Sequence, residues 1–172
     1  MKYELTDETI DVSGTTLHRI KALKDFGNVK KGELGGYVKK GELGGYVESE
    51  YNLSQIGNCW VYGNARVCGD AELCGNAKVC GNARVYGNAE VCGNARVYGN
   101  ADYITIKGLG SRYRDTTIFK TRNEDVVVRC GCFYGTLTEF VNEVGITHGD
   151  SKYAKEYLAL VELAKIHFGI EK

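Results

Sequence analysis

The sequence has no excess of charge of either sign and no long apolar run. Its 22 lysine and arginine residues balance 22 aspartate and glutamate residues, so the net formal charge is zero. A basic excess is typical of non-specific nucleic-acid binding, and its absence disfavours that class. The N-terminal MKYELTDETI carries acidic residues where a signal peptide has its apolar core, and no run is long enough to span a bilayer. These absences predict a cytoplasmic protein with no membrane partner.

The cysteine spacings of zinc sites and redox motifs are also missing. Five of the seven cysteines lie between residues 59 and 92, where most of them exchange with tyrosine at equivalent places. The other two, Cys130 and Cys132, are separated by one residue, and alternation along a strand would put both on one face. Because cytoplasmic disulfides are rare, we expect free thiols.

What the sequence has in abundance is one six-residue phrase. Eight consecutive units run from Gly57 to Ile104, and most read Gly-Asn-Ala-charged-aliphatic-Cys/Tyr. In a strand the Ala and the aliphatic residue share one face, and Gly-Asn suits a corner because both residues tolerate left-handed backbone. A short strand and a corner every six residues predict a β-solenoid. The predicted interior residues are Ala65, Val67, Ala71, Leu73, Ala77, Val79, Ala83 and Val85.

These units resemble the left-handed parallel β-helix of hexapeptide-repeat proteins, in which three units close one coil. The resemblance implies that residues eighteen apart stack at about one strand spacing, roughly 4.8 Å. One face is then acidic and two are basic. The expected stacks are Lys78 with Arg96 beside Trp60, Arg66 with Arg84 and then Asp102, and Glu72 with Glu90 beside Cys74 and Cys92.

The face with Glu72, Glu90, Cys74 and Cys92 has two interpretations. Thiolates and carboxylates bind zinc, which makes a metal site one alternative. We favour a solvated or subunit-packing face, because flat stacked strands do not converge as tetrahedral ligands do. Cysteines in register on neighbouring coils are also somewhat too far apart for an unstrained disulfide. We therefore predict no metal and no cofactor.

An acyltransferase is a further alternative, since hexapeptide acyltransferases use a histidine general base near a loop that leaves the coil. Residues 57–104 contain no histidine and no inserted loop. Of the histidines elsewhere, His18, His148 and His167, only His148 has a setting that suits a general base. The sequence therefore predicts no catalytic residue and a non-enzymatic protein.

The N-terminal 50 residues predict a β cap that includes a tandem segment. KKGELGGYV occurs at 30–38 and again at 39–47. Because Val38 and Val47 are nine residues apart, which is not a multiple of six, both copies cannot share the coil register. We expect one copy to begin the coil and the other to form an excursion or edge. Residues 1–29 predict one or two strands over the open N-terminal end, and residues 51–104 the solenoid.

Residues 105–172 predict an α+β domain of three strands and two helices. YITIK, TTIFKT and DVVVRCGCF indicate the strands. Thr136 and Glu139 form a capping box for a short helix that Gly145 closes. A second helix runs from Lys152 to Phe168 after Asp150 or Ser151 and ends at Gly169. Its apolar surface is wide, which indicates cover by a partner subunit and a homo-oligomer.

The strands after the solenoid carry the candidate ligand site. KGLGSRYRDTTIFKTRNEDVVVR holds six basic and three acidic residues, and GLGSRYR offers backbone donors, a hydroxyl and two arginines that suit a phosphate or carboxylate. A turn with solvated arginines is the alternative, because Gly-x-Gly alone is a weak signal. The candidate ligand-binding residues are Ser111, Arg112, Tyr113, Arg114, Arg129 and Tyr134, the tyrosines being able to stack on a base.

Taken whole, the chain resembles a family of phage and prophage hexapeptide-repeat proteins of gut Firmicutes. LHRIKALKDFGNVKKGELGGYV, NLSQIGNCWVYGNARV and CGCFYGTLTEFVNEVGITHGDSKYAKEY carry the resemblance. Relatives usually have one LGGY or LGGW segment, so the tandem copy is a departure. The resemblance implies a phage protein in the host bacterial cytoplasm and no particular biochemical activity.

That context makes counter-defence a reasonable class. Our first hypothesis is an oligomeric protein that captures an anionic ligand, such as a nucleotide messenger, in the C-terminal domain. The second is an inhibitor of a host defence protein, or a virion-associated structural module, that uses the flat solenoid faces. The third is an acyltransferase-like enzyme.

Overall fold

The computed structural model describes residues 1–27 and 36–170, and these form many short strands followed by two helices. The strands are β1 Tyr3–Val12, β2 Thr15–Ala22, β3 Phe26–Gly27, β4 Tyr37–Val38, β5 Leu43–Val47, β6 Trp60–Val61, β7 Arg66–Val67, β8 Glu72–Leu73, β9 Lys78–Val79, β10 Arg84–Val85, β11 Glu90–Val91, β12 Arg96–Val97, β13 Tyr103–Leu109, β14 Arg114–Lys120, β15 Val126–Cys130 and β16 Phe133–Thr136. The helices are α1 Leu137–His148 and α2 Lys152–Phe168.

Strands β5 to β12 form a β-solenoid with three faces. Each two-residue strand pairs in parallel with the strand three units further along, so that Arg66 lies opposite Arg84, Glu72 opposite Glu90 and Lys78 opposite Arg96. The partners are eighteen residues apart, because one turn of the coil uses three six-residue units. All eight predicted interior residues are at most 1% exposed, which confirms the Ala/aliphatic interior.

Glycine occupies the seven corners from Gly57 to Gly93 because the backbone there is left-handed. From Gly57 to Gly93 the corner glycines have φ between 59° and 76°. Side chains with a Cβ are strained in this region. The following asparagines form a ladder on one edge, with Asn58 Nδ2 3.1 Å from Asn76 Oδ1 and Asn76 Nδ2 3.2 Å from Asn94 Oδ1.

Two of the predicted outward positions differ from expectation. Asp102 does not continue the Arg66 and Arg84 stack, since it lies in a 3-10 turn and its carboxylate contacts Lys120 Nζ at 3.4 Å. Lys78 pairs with Arg96 and Trp60 as expected but is only 5% exposed. The Tyr62 ring lies 5.5 Å from its ammonium and shields it from water.

The N-terminal hairpin extends one face of the solenoid. β1 and β2 pair antiparallel, β2 pairs antiparallel with β5, and β5 pairs parallel with β7. The second LGGYV copy, which is β5, therefore begins the coil. Residues 28–35, which include most of the first copy, lie outside the described residues. The end of that copy, β4, pairs with β3.

The first coil is two residues longer than the others. Tyr46 pairs with Arg66 and Leu53 bridges Leu73, which are offsets of twenty residues, whereas Trp60 already pairs with Lys78 at eighteen. The two extra residues therefore lie between Leu53 and Trp60.

The C-terminal sheet has four antiparallel strands rather than the three predicted. Gly131, with φ of 57°, turns the chain between β15 and β16, so the predicted strand DVVVRCGCF is a hairpin. Cys130 and Cys132 consequently do not share a strand. Cys130 is buried on β15, whereas Cys132 is exposed in the turn.

Helix α1 begins as predicted and ends later. Thr136 Oγ1 accepts from the Glu139 amide and Glu139 Oε2 accepts from the Thr136 amide, which confirms the capping box. Gly145 does not close the helix, which continues to His148 and is capped by Gly149. For α2 the range Lys152–Phe168 is confirmed, with Ser151 as the N-cap and Gly169 in left-handed conformation at the end.

The two faces of the C-terminal sheet contact different parts of the molecule. Phe119 and Val127 belong to the solenoid core, whereas Ile118 and Val128 belong to a second core with the helices. The sheet therefore closes the C-terminal end of the coil and carries α1 and α2 on its outer side. No helix in residues 1–27 and 36–170 is long and apolar enough to cross a membrane.

Candidate functional site

A cavity of about 540 Å³ opens between the C-terminal sheet and the two helices. Ser111 and Arg112 come from the β13–β14 loop and Arg114 from the start of β14, while Glu143 and His148 come from α1. Aromatic side chains complete the wall, and these are Phe133, Phe140 and Tyr157. The lining thus combines cationic, hydroxyl and aromatic groups, as small-molecule sites commonly do.

Arg114 reaches the cavity because Gly131 leaves room for it. A Cβ on Gly131 would collide with Arg114 Nη1. Among the described residues neither Arg112 nor Arg114 has a carboxylate oxygen within 4.0 Å of its guanidinium. Two guanidinium groups therefore face one carboxylate, Glu143, so the lining has an excess of positive charge.

A buried hydrogen-bonded chain forms the floor of the cavity. Thr116 Oγ1 lies 3.3 Å from Cys130 Sγ, which lies 3.7 Å from the Tyr157 hydroxyl, and that hydroxyl donates to the Leu109 carbonyl at 3.2 Å. Burial raises the pKa of Tyr157 above its ordinary value. The phenol is protonated at neutral pH even at the ordinary pKa of a tyrosine, and its proton is donated to the Leu109 carbonyl.

The loop before Arg112 is held against α2. The Gly110 amide donates to Glu156 Oε2 at 2.9 Å, and a Cβ on Gly110 would collide with the Tyr157 hydroxyl. His148, at the end of α1, places its ring 5.6 Å from the Tyr157 ring at an interplanar angle of 30°. These contacts fix one wall of the cavity relative to the arginines.

The structure brings together three of the six predicted ligand-binding residues. Ser111, Arg112 and Arg114 line the cavity. Tyr113 lies in the same loop with φ of 50° and is 73% exposed, so its ring is directed toward solvent.

Arg129 and Tyr134 are not brought to the cavity. Arg129 Nε donates to Glu90 Oε2 at 2.8 Å, and the Tyr134 hydroxyl lies so close to Gly93 that a Cβ there would collide with it. Both residues are on the sheet face that contacts the solenoid, because side chains alternate between faces along a strand.

The solenoid face that carries Glu72 and Glu90 is covered in part by the C-terminal sheet of the same chain. Arg129 pairs with Glu90, and the Glu90 amide donates to Thr117 Oγ1 at 3.1 Å. Part of this face thus packs against the same chain, which differs from a metal site, a solvated face and a subunit-packing face. Within residues 1–27 and 36–170, no three histidine, cysteine or acidic side chains are grouped to hold a metal ion.

Several lining residues carry no local sequence signal of a site. Cys130, Phe133 and Tyr157 lie 19 to 46 residues from Ser111, and only folding brings them to it. The one available signal was the pair of glycines, Gly110 and Gly131, since an isolated glycine within a strand pattern often marks a close approach.

Comparison with known proteins agrees with the solenoid. A model of the YdcK β-solenoid repeat matches residues 77–93. These residues contain β9, β10 and β11. The chain thus contains a β-solenoid repeat. No curated protein matches the chain.

Proposed function

We propose that this protein is a non-enzymatic binding protein that holds an anionic small molecule, of the nucleotide class, in the cavity of its C-terminal region. The observation that carries the proposal is the pair of arginines that line the cavity, Arg112 and Arg114, neither of which has a carboxylate partner among residues 1–27 and 36–170. Arginine presents paired N–H donors that match the oxygens of phosphate and carboxylate.

The size and wall of the cavity support a ligand that is part anion and part ring. Its volume of about 540 Å³ falls within the range of typical small-molecule sites. Ser111 and Tyr157 add hydroxyl groups, and Phe133 supplies an aromatic surface. A nucleotide offers phosphate oxygens to the arginines and a base to the aromatic wall.

The biological setting of the proposal follows from the family resemblance. We place the protein among phage and prophage hexapeptide-repeat proteins, acting in the host bacterial cytoplasm, where capture of a nucleotide messenger would counter a defence system. Such capture requires no catalytic residue. We further infer a left-handed coil from the resemblance to hexapeptide-repeat proteins, and the eighteen-residue pairing offset supports the three units per turn of that fold.

Self-association is part of the proposal. The outer side of α2 leaves apolar side chains in contact with solvent, and these are Leu158, Leu163 and Ile166 with exposed fractions of 40%, 49% and 63%. A second copy of the chain would cover them. Native mass spectrometry of protein from cells that carry the relevant defence system would report stoichiometry and any bound small molecule in one spectrum.

The binding test is isothermal calorimetry and thermal shift against mononucleotides and cyclic dinucleotides. We expect at least one nucleotide to bind, and Arg114→Gln to weaken that binding by roughly 10- to 100-fold because a charged hydrogen bond is lost. Arg114→Lys keeps the charge but not the paired donors, and should lie between the two.

Arg84→Gln is the matched control, since Arg84 is exposed on the solenoid and remote from the cavity lining. It should leave affinity unchanged. Flat titrations of the wild-type protein against the whole panel would overturn the proposal, as would equal losses in the Arg84 and Arg114 variants.

A further inference from the structure

One face of the solenoid carries two thiols in register. Cys74 and Cys92 follow the paired strands β8 and β11, and the Cys74 amide donates to the Val91 carbonyl at 3.1 Å. Within residues 57–104, all of which the structure describes, no other cysteine has a cysteine eighteen residues away; Cys68 stacks on Tyr86, and Cys80 lies between Tyr62 and Tyr98. This pair is therefore a local feature and not a property of the repeat.

The two thiols differ in exposure. Cys74 is exposed, whereas Cys92 is 9% exposed and belongs to the solenoid core. A solvent-borne reagent can thus reach the Cys74 sulfur first, and Cys92 lies in register with it on the next coil. An exposed reactive thiol beside a second, resolving thiol is the arrangement of reversible thiol-oxidation sites.

The surroundings stabilise a thiolate at Cys74. A hydrogen bond from Cys92 and the positive charge of Arg129 lower the pKa of Cys74 to about 7, against the opposing effects of burial and of Glu72 and Glu90. The same hydrogen bond and burial raise the pKa of Cys92. Cys74 is therefore the nucleophilic thiolate, and Cys92 remains a protonated thiol.

We propose that Cys74 and Cys92 form a reversible thiol-oxidation site for hydroperoxides, with Cys74 as the reacting thiol and Cys92 as the resolving thiol. The Cys74 thiolate attacks one oxygen of the hydroperoxide, the O–O bond breaks, and the departing hydroxide or alkoxide takes up a proton. The Cys92 sulfur then attacks the Cys74 sulfenic acid, so that an S–S bond forms, the S–O bond breaks and water leaves with the Cys92 proton. The thiols lose two electrons in total, and the hydroperoxide gains them.

The spacing of the strands makes a Cys74–Cys92 disulfide easy to reduce. In-register parallel strands are about 4.8 Å apart, which is within the Cα range of disulfides, but the Cβ atoms must approach to about 3.8 Å. Closing that gap strains the bond, and strained disulfides are the readily reduced ones. The site would thus return to the dithiol when a thiol reductant is present. The inference does not depend on the anion-binding proposal, because neither cysteine lines the cavity.

The test is hydrogen peroxide treatment of the folded protein at pH 7, followed by alkylation and tryptic digestion without reductant. Residues 67–78 contain Cys68 and Cys74, and residues 85–96 contain Cys92. We expect a linked pair of these peptides, with fragmentation assigning the bond to Cys74 and Cys92. Cys74 should be lost at least about tenfold faster than Cys68, because a far larger fraction of it is thiolate.

Variants separate the two roles. Cys92→Ser should leave a Cys74 sulfenic acid that dimedone traps, Cys74→Ser should abolish both products, and the control Cys68→Ser should behave as wild type. The proposal is overturned if wild-type protein keeps both thiols after excess peroxide, if the bond involves Cys68, or if the linked peptides arise only between two chains. Because the first of these is measured on wild-type protein, a variant that folds poorly does not decide the result.

Discussion

At the scale of single residues, an outward position in the repeat does not ensure contact with water. Lys78 occupies the same place in its unit as Arg84, yet it is only 5% exposed, because Tyr62 lies over it. Burial and the neighbouring charge of Arg96 lower the pKa of Lys78 to about 8. Lys78 therefore loses its proton at a pH well below that of an ordinary lysine.

Lys78 makes stability depend on pH in the alkaline range. The folded protein releases the Lys78 proton near pH 8, whereas an unfolded chain holds it to about 10.5, so the unfolded state binds more protons in that window. The free energy of unfolding should therefore gain about 1–2 kcal/mol from Lys78 as pH rises from 8 to 10.5, allowing for solvent screening. Urea unfolding of the wild-type protein and of Lys78→Met at several pH values in that range measures this gain. It is the difference between the two proteins in the slope of the free energy of unfolding against pH.

Lys165→Met is the control for removing a lysine charge, since Lys165 lies on α2 with its side chain 40% exposed. In this variant the free energy of unfolding should change with pH as it does in the wild-type protein. Parallel slopes for wild type and Lys78→Met would contradict the prediction.

At the scale of elements, the corner glycines have two separate reasons to be glycine. All of them have left-handed backbone, but the space around them differs. A Cβ on Gly57 would come within 2.6 Å of the Gly75 carbonyl oxygen on the next coil, whereas a Cβ on Gly87 would meet nothing within 4 Å. A side chain at either corner would therefore strain the backbone, but only at Gly57 would it also collide with the next coil.

This pair of corners separates strain from crowding. Gly87→Ala should lower the free energy of unfolding by about 1 kcal/mol through left-handed strain alone. Gly57→Ala should cost roughly 1–3 kcal/mol more, because a backbone carbonyl of the next coil must move. Urea denaturation of both variants checks the difference, and equal losses would show that the neighbouring coil yields without cost.

At the scale of the whole molecule, the C-terminal sheet contributes side chains to two hydrophobic cores. Adjacent residues of β14 point to opposite sides, Phe119 into the solenoid and Ile118 toward the helices, and both are fully buried. His167 on α2 also contacts the Ala101 carbonyl at 2.9 Å. The coil end and the helices are thereby joined both through the sheet and by the direct contact between His167 and Ala101.

Truncation of these two residues should expose different regions. Phe119→Ala should cost about 3–5 kcal/mol and Ile118→Ala about 2–5 kcal/mol. Hydrogen exchange should accelerate at the Lys78 and Cys80 amides, which donate to carbonyls of the last coil, in Phe119→Ala more than in Ile118→Ala. The α1 and α2 amides should show the reverse order. Identical exchange patterns in the two variants would mean that the cores open together.

The sequence by itself determined the solenoid, because a six-residue period places every interior Ala and Val without reference to distant residues. Both helices are likewise fixed by short-range signals, the Thr136 capping box and the Ser151 cap. Gly131 and Gly145 are not, since the first turns the chain between two strands and the second lies within a helix. A glycine permits a turn but does not require one, and packing decides between the two.

Only the tertiary structure decided which side chains meet. Arg114 and Arg129 were equivalent candidates in the sequence, yet one lines the cavity and the other pairs with Glu90. The face on which a strand residue lies depends on register, and the register of β14 and β15 is set by partners far along the chain. Likewise, the repeat stacked Cys74 on Cys92, but Arg129 reaches that pair only because the C-terminal sheet folds back on the solenoid.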